Sequence, residues 1–131
     1  MNRERPVNLN IATIKFPMTA ITSILHRLTG ILLFLFVPFV LWVASFSLSS
    51  EQNFNVLKAV MAMFWLRFVL WIFISALFYH IVAGVRHLLM DLHLGESRKG
   101  GMYGAWFVFL FSVIVIVLLG IYLLIGFNHV W

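Results

Sequence analysis

Two short groups of polar residues lie at the margins of long apolar runs in this chain of 131 residues. The first group contains Ser23, His26 and Arg27, and the second begins at His80 and ends at His87. Imidazole nitrogens bind metal ions and carry protons near neutral pH, and a guanidinium binds anionic oxygens through paired hydrogen bonds. Because ionisable side chains are costly in or beside hydrocarbon, these two groups indicate a functional site.

The second group offers a possible metal ligand. His80 precedes Arg86 by roughly 9 Å of helix, so it is expected inside the hydrocarbon boundary, with Arg86 and His87 at the membrane surface. A buried neutral imidazole either bonds to a neighbouring helix or ligates haem iron. Gly84, one turn along the same face, leaves room for a flat macrocycle or permits close helix packing. The spacing alone leaves both interpretations open.

The first group has the chemistry to bind an anion. His26 and Arg27 can bind haem propionates, and His26 is expected at a different depth from His80. An interfacial Arg also commonly extends toward lipid phosphate, which is the alternative for Arg27. The hydroxyl of Ser23 can donate to the carbonyl of a ligand such as a quinone, or bond back to its own helix.

Asp91 follows His87 by one helical turn. The two side chains can form a local ion pair or part of a proton route. A solvated helix end carrying no function is an equally good interpretation, and the sequence does not choose between them.

The composition of the chain indicates which kind of secondary structure positions these polar residues. The chain is 63% hydrophobic and only 10% charged, whereas soluble domains carry about 25% charged residues. Three apolar stretches are long enough to cross a bilayer as helices. We therefore predict an all-α membrane protein, a single domain over 1–131, with spans at approximately 20–49, 58–91 and 103–128. Polar connections are expected at 47–55 and 95–101.

The basic residues predict the orientation. Lys and Arg are concentrated before the first span and after the second, and the segment after the third span has none. Because cytoplasmic segments carry the excess of Lys and Arg, the N-terminus is predicted to be cytoplasmic. The net charge of +5 is spread without a basic run, so no nucleic-acid partner is expected. The absence of cysteine excludes thiolate ligation of iron–sulfur clusters by this chain.

The two polar groups closely resemble the signatures of a known family, the cytochrome b subunit of bacterial succinate dehydrogenase. The first signature, S-x-x-H-R-x-[ST]-G, is matched by residues 23–30, and the second, H-x-x-x-G-x-R-H-x-x-x-D, by residues 80–91. The segments Arg5-Pro6-Val7-Asn8-Leu9 and Phe16-Pro17-Met18-Thr19-Ala20-Ile21 add to the likeness. The resemblance covers nearly the whole chain, although the third span matches only as an apolar segment.

The resemblance implies a role for each residue. His80 matches the axial ligand of haem b, whose second ligand is a histidine on another anchor subunit. Ser23 and Arg27 match residues that line the ubiquinone pocket, and His26 and Arg27 match contacts to the haem propionates. Gly84, His87 and Asp91 are expected to surround this site.

The same resemblance implies a setting and an activity. The chain would pack with a second membrane-anchor subunit into a helix bundle in the bacterial inner membrane. A flavoprotein subunit and an iron–sulfur subunit would complete succinate:ubiquinone oxidoreductase, the respiratory complex II. This chain would have no catalytic activity alone.

Two alternatives remain at this level. The anchor of a menaquinol:fumarate reductase would have the same architecture with electrons flowing in the opposite direction. A cofactor-free membrane scaffold would bind no haem and would tolerate loss of the His80 side chain.

Overall fold

The described part of the chain, residues 15–126 of the computed structural model, is helical and contains no β-strand. Three of its helices are long and apolar enough to cross a membrane, which confirms the predicted all-α membrane architecture. In chain order the elements are α1 (Met18–Leu48), α2 (Glu51–Met61), α3 (Phe64–Asp91), α4 (Arg98–Gly120) and a π-helical turn that continues α4 (Ile121–Ile125).

The three long helices pack against one another, and α2 lies against α1 and α3 at one end. Small residues make up much of the interface, since Ala76, Ala83 and Ala105 are buried together with Tyr79 and Val108. Small side chains allow helix backbones to approach closely, which is how membrane helices associate without a hydrophobic driving force between them. Most large apolar side chains remain exposed, and they are available to lipid or to partner subunits.

The polar connection predicted at 47–55 is only partly irregular, because α2 already begins at Glu51. The Ser50 hydroxyl caps this helix by accepting a hydrogen bond from the Asn53 amide at 3.1 Å. A residue of extended backbone, Met63, then separates α2 from α3. The second long helix therefore begins at Phe64, later than the predicted start at 58. The residues on both sides of the break between α2 and α3 are apolar, so the hydropathy of the sequence could not locate this break.

The connection between α3 and α4 is also shorter than the predicted loop at 95–101. The helix α4 begins at Arg98, because the Ser97 hydroxyl accepts a hydrogen bond from the Gly100 amide at 3.0 Å. Two positive φ angles reverse the chain before it, 62° at His93 and 74° at Gly95. The third helix thus begins before the predicted residue 103.

Arg86 is expected at the membrane surface, and within the protein its side chain is buried between α3 and α4; its depth in the membrane stays a prediction. Its Nη2 donates a hydrogen bond to the Gly101 carbonyl at 2.9 Å. The side chain fits there because the first turns of α4 contain glycines. A Cβ at Gly104 would lie 3.4 Å from the guanidinium Nε.

At the other end of the bundle, the indole of Trp71 in α3 packs against α4. Its Nε1 donates to the Ile116 carbonyl at 2.9 Å, a carbonyl that belongs to the hydrogen-bond ladder of α4. The ring can approach because Gly120 has no side chain. The wider π turn begins at the next residue, Ile121. Insertion of a side chain into the ladder is a known cause of such local changes in helix geometry.

We expect the substitution Gly120→Ala to destabilise the bundle, whereas Gly126→Ala is tolerated. A Cβ at Gly120 would lie 3.0 Å from the indole Nε1, while at Gly126 its nearest neighbour is 3.8 Å away. The rigid indole must move, and overpacking of this kind costs about 1–3 kcal/mol. Thermal unfolding of the detergent-solubilised protein measures the difference. Equal melting temperatures for the two variants would contradict this packing.

Candidate functional site

The helices α1 and α3 run antiparallel, and each carries the pattern His-x-x-x-Gly. The pattern is His26 to Gly30 on α1 and His80 to Gly84 on α3. Each histidine packs over the glycine of the other helix. A Cβ at Gly30 would lie 3.0 Å from Cε1 of His80, and a Cβ at Gly84 would lie 3.4 Å from Nε2 of His26. The two glycines therefore provide the space that the two imidazoles fill.

The rings of three histidines lie together. His26 stacks on His80 with 4.2 Å between ring centroids, and on its other side lies His87 at 5.1 Å. Because His80 faces Gly30 and His26 faces Gly84, the two residues are offset by about one helical turn along α1, although their rings touch. The expected difference in their depth in the membrane stays a prediction.

The hydrogen bonds of His80 define its tautomer. Its Nδ1 lies 3.1 Å from the carbonyl oxygen of His26 and 3.3 Å from the hydroxyl of Thr29. A carbonyl oxygen only accepts hydrogen bonds, so the proton of the neutral ring is assigned to Nδ1. Nε2 then carries the free lone pair, and it has no hydrogen-bond partner among the described residues. A histidine whose Nδ1–H donates to a carbonyl while Nε2 is free is in the form that binds metals.

A second contact, which the sequence did not suggest, ties α3 to α1 beside this cluster. The buried hydroxyl of Tyr79 donates a hydrogen bond to the Thr22 carbonyl at 3.2 Å. The only signal in the sequence is that Tyr79 adjoins His80. Thr29 was present in the first signature but was given no role there, and the structure brings its hydroxyl to Nδ1 of His80.

Ser23 and Arg27 lie on α1, on either side of His26 in the sequence. Ser23 is half-buried and Arg27 is exposed. Within residues 15–126 neither side chain forms a hydrogen bond or an ion pair. Other hydroxyls of α1 do bond back to the helix, among them Thr22 to the Met18 carbonyl at 3.0 Å and Thr29 to the Leu25 carbonyl at 2.9 Å. Ser23 therefore remains available to a ligand.

The other predicted residues are placed as follows. Gly84 lies under the ring of His26, so close packing accounts for it in this chain without a bound macrocycle. His87 is half-buried and contacts His26. Asp91 is exposed at the end of α3, and it forms no ion pair with His87.

The donor set fits one half of a bis-histidine haem site. Nε2 of His80 could supply one ligand to a haem iron, but His26 could not supply the other, because two rings stacked face to face do not point their nitrogens at one iron between them. In the part of the chain that the structure describes, no cluster of three or more ligating side chains could hold a metal ion. Residues 15–126 thus offer one haem-ligating nitrogen at this cluster, that of His80.

The fold and this cluster define an integral membrane protein of three spans, with three histidine side chains gathered near one end of its bundle. The chain belongs to the succinate dehydrogenase/fumarate reductase transmembrane subunit family, whose model matches residues 1–119. It is thus a membrane subunit of complex II, and it assembles with other subunits of that enzyme.

The curated relatives agree with this assignment. A succinate dehydrogenase cytochrome b556 subunit from Coxiella burnetii is 40% identical over 124 residues, which is 94% of this chain and 99% of the relative. Subunits of the same name from Rickettsia bellii and Paracoccus denitrificans are each 32% identical. They align over 88% and 70% of this chain and over 90% and 70% of their own lengths, respectively.

The reciprocal packing predicts different effects for the two glycines. We expect Gly30→Ala to lower stability by roughly 1–3 kcal/mol, because its Cβ would press on the aromatic ring of His80. Gly84→Ala should change stability by less than about 1 kcal/mol, because its Cβ would make a nearly ordinary contact with His26. Melting of the solubilised complex measures both. A more harmful substitution at Gly84 would contradict the packing described here.

Proposed function

We propose that the chain is the cytochrome b anchor of succinate:ubiquinone oxidoreductase, helping to bind haem b and forming part of the ubiquinone-reduction site. The observation that carries the proposal is the state of His80. This imidazole lies on a membrane-length helix, its Nδ1 is hydrogen-bonded to a carbonyl, and its Nε2 is free to donate to iron. The names of the relatives, cytochrome b556 subunits, support a b-type haem.

His80 would hold the haem as one of its two axial ligands. A histidine of a second anchor subunit would complete the pair, since His26 is stacked on His80 and directed elsewhere. When bound, the haem supplies a one-electron redox centre within the membrane. His26 and Arg27 are the candidates for binding its propionates, because His26 lies against His80 and the adjacent Arg27 is exposed and forms no ion pair within the described chain.

Ser23 and Arg27 would line the quinone pocket. They are one helical turn apart on α1, so both can face the same ligand. The hydroxyl of Ser23 would donate a hydrogen bond to a quinone carbonyl oxygen. The guanidinium of Arg27 would stabilise the negative charge that develops on this oxygen as electrons arrive. Protons would reach the site from the nearby membrane surface.

The partners would be the flavoprotein subunit, the iron–sulfur subunit and a second membrane anchor. The location would be the bacterial inner membrane, with the end of the bundle that carries Arg27 in the cytoplasm. That end also holds Lys15, Arg98 and Lys99, which agrees with the excess of positive charge on cytoplasmic segments. The exposed apolar side chains provide ample surface for a partner helix.

Replacement of His80 by alanine should abolish haem retention or shift its spectrum. The measurement is the dithionite-reduced minus oxidised spectrum of the purified complex. His93→Ala is the matched control, because it removes an exposed imidazole that, within residues 15–126, pairs with Glu96 and not with the histidine cluster. A normal b-type α-band in the His80 variant would exclude this residue as the ligand. No band in the wild type would favour the cofactor-free scaffold.

Replacement of Arg27 by leucine should lower quinone reductase activity about 10- to 100-fold, the worth of one charge-assisted hydrogen bond. Succinate oxidation by a soluble dye should be largely retained, because that reaction does not require the membrane site. Arg98→Leu removes the same charge from the same end of the bundle and serves as control. Equal losses in both assays would indicate misassembly and count against a role for Arg27 at the quinone.

A further inference from the structure

The Nδ1 atom of His80 has two acceptors on α1, the carbonyl of His26 at 3.1 Å and the hydroxyl of Thr29 at 3.3 Å. We propose that Thr29 is a positioning residue for His80, and that its hydroxyl and the His26 carbonyl together hold the proton on Nδ1 and fix the orientation of the ring. This inference rests on the proposed haem ligation by His80. It assigns a role to a residue that neither the family nor its relatives explain.

The geometry of Thr29 suits it to accept rather than to donate. Its hydroxyl lies 2.9 Å from the Leu25 carbonyl and 2.9 Å from the His26 carbonyl. The hydroxyl has one proton, and these two carbonyls on its own helix take it. The lone pairs of the oxygen are then free for the Nδ1–H of His80. The hydrogen bonds to these two carbonyls hold the oxygen in this place, and a serine hydroxyl can form them too.

Two further contacts prevent the imidazole from turning away from these acceptors. Its Cε1 edge lies over Gly30, where even a Cβ would be only 3.0 Å away. One face of the ring is covered by His26, with the two planes inclined by 21°. Contacts with α1 therefore fix one edge and one face of the His80 ring. Thr29 adds a second acceptor for the Nδ1 proton that the His26 carbonyl already assigns.

The hydrogen bond also affects the electron density at the ligating nitrogen. An Nδ1–H that donates to an acceptor makes Nε2 more basic, and a more basic ligand favours the oxidised metal. Removal of the Thr29 hydroxyl leaves Nδ1 with one acceptor in place of two. The midpoint potential of the haem should therefore rise, and the ring should gain some freedom about its axis.

The chain provides a matched control in Thr22. This residue lies on the same helix and bonds back to the Met18 carbonyl at 3.0 Å, as Thr29 does to Leu25. Its side chain makes no contact with His80 through a hydrogen bond. Thr22→Val therefore removes a back-bonded hydroxyl of α1 without touching the proposed interaction, and Thr29→Ser retains the interaction without the methyl group.

The test uses purified complex II with wild-type chain, Thr29→Val, Thr29→Ser and Thr22→Val. A redox titration followed at the b-type α-band gives the midpoint potential, and electron paramagnetic resonance of the ferric low-spin haem reports ligand orientation. We expect a raised potential and shifted g-values for Thr29→Val, with haem content retained. Thr29→Ser and Thr22→Val should match the wild type. If the valine variant fails to assemble, Thr29→Ala carries the same test.

Two results would overturn the proposal. One is a Thr29→Val complex with the potential and g-values of the wild type, and the other is a Thr29→Ser complex shifted as far as the valine variant. Either result would leave haem ligation by His80 standing if His80→Ala still loses the spectrum. An unchanged spectrum in His80→Ala would instead remove the proposed function, and this inference with it.

Discussion

The pairing of two imidazoles with two glycines between α1 and α3 is the constraint on which the rest of the site depends. The two helices carry the same spacing in opposite directions, so one register seats His26 over Gly84 and His80 over Gly30 at once. That register also brings the hydroxyl of Tyr79 to the carbonyl of Thr22. If either helix slid by one turn, the rings of His26 and His80 would no longer face glycines. They would meet larger side chains instead. Close approach through small residues is how helices associate in lipid, and here the same contact orders a functional side chain.

The architecture was largely accessible from the sequence, because hydropathy reports directly which segments prefer lipid. The errors fall at the helix ends. Ser50 and Ser97 begin helices inside segments that look irregular by composition, since a single hydroxyl that caps an amide outweighs the polarity of its neighbours. Arg86 shows a contact that the sequence did not suggest. The glycines of α4 open a space in which its guanidinium meets a backbone carbonyl.

The sequence could predict which residues belong to the candidate site, but it could not predict how their side chains are arranged. Ser23, Arg27 and His80 stand out because polar side chains are rare in such runs, and the structure brings all of them to one end of the bundle. The stacking of His26 on His80 could not be foreseen, because it depends on how two separate segments pair. Thr29 was hidden for the same reason. A threonine that bonds back to its own helix is ordinary, and its contact with a ring on another helix depends on the register between them.

Because the site is divided between α1 and α3, its parts enter the membrane at different times during synthesis. Ribosomes make the chain from its N-terminus, so the acceptors for His80 enter the membrane on α1 while α3 does not yet exist. His80 emerges later and meets its carbonyl and its glycine only when α3 turns back beside α1. The oriented imidazole is therefore a product of hairpin closure. During synthesis, a chain stopped after its first span would carry Ser23 and Arg27 but would lack the His80 ring that hairpin closure orders.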